Sequence, residues 1–128
     1  MPTPAALRRK ILLVDDSATI HMWIRMILNR SDYDVVSARD GHEGVELALA
    51  EAPDLILMDV MMPRMGGFEA CRRLRGHART RTTPILMVTT RAEARNVEFG
   101  YLNGCSDYIT KPIDGLELLA KVRSFLGE

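Results

Sequence analysis

Cysteine is scarce in this chain of 128 residues: Cys71 and Cys105 are the only two. They stand far apart with no metal-ligand spacing, which excludes a disulfide scaffold and a thiolate metal site and fits reduced thiols in a cytoplasmic protein. Aromatic residues are also few, 5% of the total, so there is little to stack on nucleic-acid bases. Neither sign of charge is in excess, with 17 basic and 17 acidic residues. Net charge therefore points to neither nucleic acid nor an anionic membrane as partner. No apolar run approaches the roughly 18 to 20 residues of a membrane-spanning helix, and the opening Met-Pro-Thr-Pro-Ala-Ala-Leu-Arg-Arg-Lys10 lacks an apolar signal core. The reading is a soluble cytoplasmic chain without membrane insertion.

What is present is apolar substance, 47% of the residues, enough for one domain to bury a core without metal or disulfide support. Residues 1–8 read as a flexible tail and 9–128 as the domain. Lys10-Ile-Leu-Leu-Val14 is a continuous apolar run ending in Asp15 and Asp16, as expected of a parallel strand buried on both faces. Ser17 caps a helix in which Ile20, Ile24, Ile27 and Leu28 form one stripe, with Met22, Trp23 and Met26 at its edge ahead of any kinase-docking role. Asp34–Ala38 is a second strand. Gly41 to Glu51 is a second helix, with Val45, Ala48 and Leu49 inward and Pro53 ending it. Asp54-Leu-Ile-Leu-Met-Asp59 is the third strand. Pro63, Gly66 and Gly67 lead into a helix with Phe68, Cys71 and Leu74 inside and Gly76 at its end. Pro84 to Thr90 is the fourth strand, Glu93 to Asn103 the fourth helix, stopped by Gly104, and Asp107 to Thr110 the fifth strand. The last helix is capped by Asp114 and carries Leu116, Leu119, Val122 and Leu126.

Strict alternation of strand and helix predicts an α/β fold, a doubly wound five-stranded parallel sheet of flavodoxin-like (βα)5 form. Ligands of such sheets bind beyond the carboxyl ends of the strands, and in the order 2-1-3-4-5 strands one and three meet at the switch point. Asp15, Asp16 and Asp59 then become neighbours, with Thr89 at the end of strand four and Lys111 after strand five. Crowded carboxylates need a cation among them; oxygen ligands in a partly solvated cleft suit Mg²⁺, and Lys111 and Thr89 suit a phosphoryl group. A carboxylate can itself accept that group, and Asp59 is the central one. Singly, Asp15 and Asp16 read as acids at a helix N-terminus and Lys111 as a turn lysine. Together, at one edge of one sheet, they favour function.

Leu13-Val-Asp-Asp16, Leu57-Met-Asp-Val-Met-Met-Pro63, Met65-Gly-Gly67, Val88-Thr89 and Tyr108-Ile-Thr-Lys-Pro112 resemble the motifs of response-regulator receiver domains, in organisation most like single-domain chemotaxis-type regulators. The likeness runs from about Lys10 to Phe125, and the family shares the strand order 2-1-3-4-5. The resemblance implies two-component signalling: Asp59 takes phosphate from a histidine kinase or phosphotransfer protein, and the domain assists only its own phosphorylation and dephosphorylation. It implies Mg²⁺ held by Asp16, Asp59 and the backbone carbonyl of Met61, with Asp15 acting through water. It further implies phosphoryl contacts from Thr89 and Lys111, a cis Lys111–Pro112 bond, and a switch in which Thr89 is drawn inward and Tyr108 turns in behind it. Val97, Tyr101 and Tyr108 would belong to an output face of helix four, strand five and helix five. Thr90 and Ile113 depart from the family's usual residues; Thr90 is expected to crowd the phosphoryl group, Ile113 only to alter packing.

A haloacid-dehalogenase-type phosphohydrolase needs nucleophile and acid in one Asp-x-Asp segment and a cap; Met61, not an acid, stands two residues after Asp59, and no cap is found. A flavodoxin-like cofactor site needs a glycine- and hydroxyl-rich loop where Asp15 and Asp16 stand. A receiver-like scaffold acting without phosphate is the remaining alternative. Arg72, Arg73, Arg75, Arg79 and Arg81 read as a solvated face rather than a nucleic-acid site, and His21, His42 and His77 as surface residues. The expected partners are a kinase and an unidentified downstream protein, in motility control, phosphate relay or as a phosphate sink. The expected state is a monomer or weak dimer.

Overall fold

Five short apolar runs pair into one parallel sheet in the order β2-β1-β3-β4-β5, in a computed structural model that describes residues 8–90 and 97–128. The elements are β1 (Lys10–Val14), α1 (Ala18–Leu28), β2 (Asp34–Ala38), α2 (Gly41–Glu51), β3 (Leu55–Asp59), α3 (Gly67–Arg75), β4 (Ile85–Thr89), α4 (Val97–Leu102), β5 (Asp107–Thr110) and α5 (Gly115–Leu126). β3 and β4 are buried at every residue, because helices cover both faces of a doubly wound sheet. Register sets the functional edge: Val14 lies opposite Met58, and Asp59 opposite Val88. The strand ends of β1, β3 and β4 thus reach one level.

Alternate residues point to two separate cores. One holds Ile11, Leu13, Leu57, Leu86 and Val88 against α1 and α5. The other holds Leu12, Ile56, Met58 and Met87 against α2 and α3, with Cys71, Cys105 and Tyr108. Side-chain caps start the helices: Ser17 accepts from the Ile20 amide, Asp40 from that of Glu43, and Asp114 from those of Leu116 and Glu117. Gly66 precedes α3 without a side-chain cap.

Several details differ from the sequence expectations. The predicted fourth helix begins at Glu93, but residues 93–96 lie outside the described residues; Asn103 falls in the turn, not the helix. Met22, Trp23 and Met26 are not core edge: Trp23 is 43% exposed and the two methionines more so. Leu116, expected inside, is 79% exposed, and Leu118 packs in its place. In both helices the apolar residues cover a wider arc than the sheet can shield. His21 is buried rather than at the surface. Arg75 does not belong to a solvated face. Its guanidinium donates to the carbonyls of Gly104, Thr80 and Thr83 at 2.7 to 2.9 Å, tying the end of α3 to the loop before β4. No described helix is long and apolar enough to cross a membrane.

Candidate functional site

The site begins where the strands stop. Asp15, directly after β1, is buried, and its Oδ1 accepts the Ser17 amide at 2.8 Å. One oxygen thus shapes the turn into α1 while Oδ2 faces Lys111, 3.5 Å from Nζ. Asp16 is exposed. Asp59, last in β3 and 4% exposed, lies 3.3 Å from the same Nζ through Oδ1. The ammonium is delivered from β5: the Lys111 amide donates to the Thr89 carbonyl at 2.6 Å, and the Lys111–Pro112 bond is cis, as the resemblance implied.

One oxygen from each of Asp15, Asp16 and Asp59 comes within 4.8 Å of the others. Burial, and then the Asp15 charge, push the Asp59 carboxyl up to about 6, against the pull of Lys111. Burial alone would lower the Lys111 ammonium, but Asp15 and Asp59 outweigh it and hold it above its usual value. A single lysine does not satisfy three acids. Carboxylate oxygens gathered this way, one of them solvent-facing, suit a hard divalent cation that keeps part of its water shell.

A family model described as "Response regulator receiver domain" matches residues 11–123. The chain belongs to the response regulator receiver domain family. It is 38% identical over 118 residues to Protein PilH of Pseudomonas aeruginosa, covering 92% of this chain and 98% of that protein. Among solved structures it resembles the Vibrio cholerae chemotaxis protein CheY4 at 33% identity and TM-score 0.86, covering 92% of this chain and 98% of that one. The receiver domain of sensor histidine kinase PA1611 from Pseudomonas aeruginosa, solved with magnesium in its active-site cleft, is 30% identical at TM-score 0.87 over 94% of this chain and 99% of that one. The chain spans about half the length of other curated relatives that it matches, among them transcriptional regulators. This receiver domain is therefore a signalling module of two-component systems with an acidic pocket at its sheet edge.

The other residues expected at the site stand on neighbouring elements. Thr89 ends β4, buried, and its hydroxyl donates to the Thr90 carbonyl at 3.2 Å. Met61 lies two residues beyond Asp59 in an exposed loop. Gly67 closes this loop tightly: a Cβ there would stand 2.1 Å from the Asp59 carbonyl oxygen. Tyr108, expected at the switch and the output face, points inward. It is 8% exposed, already turned in, with its hydroxyl donating to the Val97 carbonyl at 3.0 Å. Val97 is half-buried, and only Tyr101 is exposed.

Sequence reasoning missed His21. Its Nε2 stands 2.7 Å from the Asp15 carbonyl oxygen, inside the protein, so the ring ties α1 to the backbone of an acid in the pocket. His21, Ile24 and Leu28 follow i, i+3, i+7 spacing, a signal that would have placed the imidazole inward.

Proposed function

We propose that Asp59 accepts a phosphoryl group from a phosphohistidine of a histidine kinase or phosphotransfer protein, with Mg²⁺, and that the modified domain presents an altered surface over α4, β5 and α5 to a downstream protein. The observation that carries this reading is the meeting of three carboxylates with the Lys111 ammonium at the ends of β1, β3 and β5. An Asp59 carboxylate oxygen bonds to phosphorus as the bond from phosphorus to the donor's imidazole nitrogen breaks. The electron pair stays on that nitrogen, and the imidazole takes a proton from solvent. A carboxylate held near pH 6 is mostly ionised at neutral pH yet more basic than an ordinary one, as an acceptor must be.

Asp16, Asp59 and the Met61 carbonyl are the residues that would hold Mg²⁺, with Asp15 acting through bound water. Bound there, the ion supplies positive charge between the acids and the phosphoryl oxygens. Lys111 turns from Asp59 and Asp15 to a phosphoryl oxygen, and Thr89 gives up the Thr90 carbonyl to donate to another. Asp15 keeps the turn through Ser17 closed meanwhile. The magnesium-bound receiver of PA1611 supports the ion, and receiver domains found within histidine kinases support the donor.

Intact-mass measurement after incubation with Mg²⁺ and a small acyl phosphate or phosphoramidate tests this reading. The expected result is one added phosphoryl mass on wild type, none on Asp59→Asn, and none when Mg²⁺ is chelated. Equal labelling of Asp59→Asn refutes the assignment.

A further inference from the structure

Gly100 sits within α4 with no demand for a left-handed backbone, although glycine weakens a helix by about 1 kcal/mol relative to alanine. Space is what it supplies. A Cβ at Gly100 would lie 1.7 Å from the Tyr108 hydroxyl oxygen, 2.8 Å from its Cζ and 2.8 Å from Phe68 Cε1. Gly115 of α5 is open by comparison, since a Cβ there would meet Ile27 at an ordinary 3.4 Å, whereas at Gly44 and Gly67 it would press on Val14 and on the Asp59 carbonyl. The phenol thus enters a notch in α4 and donates to the Val97 carbonyl, three residues back on the same helix. Tyr101 lies edge-on to its ring at 5.5 Å, and the Phe68–Phe99 pair at 5.2 Å links α4 to α3. From the other side Lys121 of α5 donates to the Tyr108 carbonyl at 2.6 Å and pairs with Asp107 at 3.2 Å.

We propose that Gly100 is a positioning residue of the switch: its missing side chain is the slot that holds Tyr108 turned in, so that ring and α4 shift as one body. This rests on the proposed function for its meaning but not for its test. A freely flipping tyrosine would leave the output face to change around a fixed helix. A keyed one makes the position of α4 itself the signal, transmitted to α5 through Lys121. Filling the slot expels the ring and uncouples helix from strand.

A substitution cycle on the full chain, without phosphodonor or metal, decides the matter. Gly100→Ala lowers the urea midpoint when Tyr108 is present. The same substitution raises it in a background of Tyr108→Ala with Phe68→Ala, where the helix gains alanine and meets neither the hydroxyl nor the Phe68 edge. Ring-labelled tyrosine NMR provides the second readout: the Tyr108 resonance, assigned with Tyr33→Phe and Tyr101→Phe, moves toward the solvent-exposed position in Gly100→Ala. If Gly100→Ala alone does not fold, recovery of folding in that background gives the same sign reversal. A midpoint change of one sign in both backgrounds, or a Tyr108 resonance that stays in place, overturns the slot. Failure of Asp59 labelling would leave this cycle untouched, so the two readings fall separately.

Discussion

The two faces of the sheet are built from different materials. Towards α1 and α5 the buried cluster among the described residues is aliphatic, isoleucine, leucine and valine from Ile11 through Leu126, with Tyr33 at its margin. Towards α2, α3 and α4 it mixes alanine, methionine, cysteine and tyrosine. On that side a Cβ at Gly44 would press on Val14, one at Gly67 on the Asp59 carbonyl and one at Gly100 on Tyr108. Branched aliphatic side chains have few rotamers and interlock, whereas thioethers and small residues let helices slide. The first face is a platform; the second is where Thr89 and Tyr108 meet more adaptable packing, and the acid pocket lies at the strand ends between the two.

The largest expected effect breaks the platform. Leu118→Ala, at a fully buried site, should lose about 3 kcal/mol in urea unfolding, and Met87→Leu on the other face less than about 1.5 kcal/mol. Equal losses would erase the contrast. Next comes the tight loop: Gly67→Ala should cost about 2 kcal/mol, because the 2.1 Å approach to the Asp59 carbonyl forces β3 and α3 apart. Divalent-ion affinity should fall with it. An unchanged affinity measured by titration calorimetry would mean that the loop relaxes away from the pocket.

Asp59, at the strand ends where the two faces meet, offers a pH-dependent test. Its carboxyl is raised from 3.8 to about 6, first by burial and then by Asp15. A folded-state value above the unfolded one favours the protonated form in the fold. Its contribution to stability is therefore full below about pH 3.8 and is lost as pH rises through about 6. The gap corresponds to about 3 kcal/mol at most, and solvent at the pocket mouth reduces this to about 1–2 kcal/mol. Metal-free Asp59→Asn should thus be more stable than wild type by about that amount at pH 7.5, and no more stable at pH 4. A stability gain that does not vary with pH would assign the effect to packing instead of charge.

How much of this was legible differs between the faces for physical reasons. The strands were readable because burial on both sides leaves continuous apolar runs such as Ile85–Thr89. The pocket was readable because its acids sit where those runs stop. Helix faces were harder. Apolar spacing says which residues share a side, not where the sheet's cover ends, so Trp23 reads as core edge and Leu116 as inward, and both are exposed. Arg75 reads as solvated by its charge, yet backbone carbonyls satisfy it. Nothing in the sequence singles out Gly100, since the ring that needs its space arrives from β5, eight positions further along the chain.

His21 refines the contrast, because it is the polar residue by which the platform reaches the pocket. It belongs to α1, and its Nε2–H donates to the Asp15 carbonyl, fixing the backbone whose carboxylate faces Lys111. His21→Phe keeps a ring of similar breadth but removes the donor. The loss should be about 1 kcal/mol of stability, the cost of a buried carbonyl deprived of a partner. Divalent-ion affinity should weaken several-fold as Asp15 loosens, while the Tyr108 resonance stays in place, because α4 lies across the sheet. If His21→Phe shifts Tyr108 as strongly as Gly100→Ala does, the two faces are coupled and the platform is not passive. If it changes stability alone, Asp15 is held by its turn through Ser17, and the pocket owes its geometry to the strand ends.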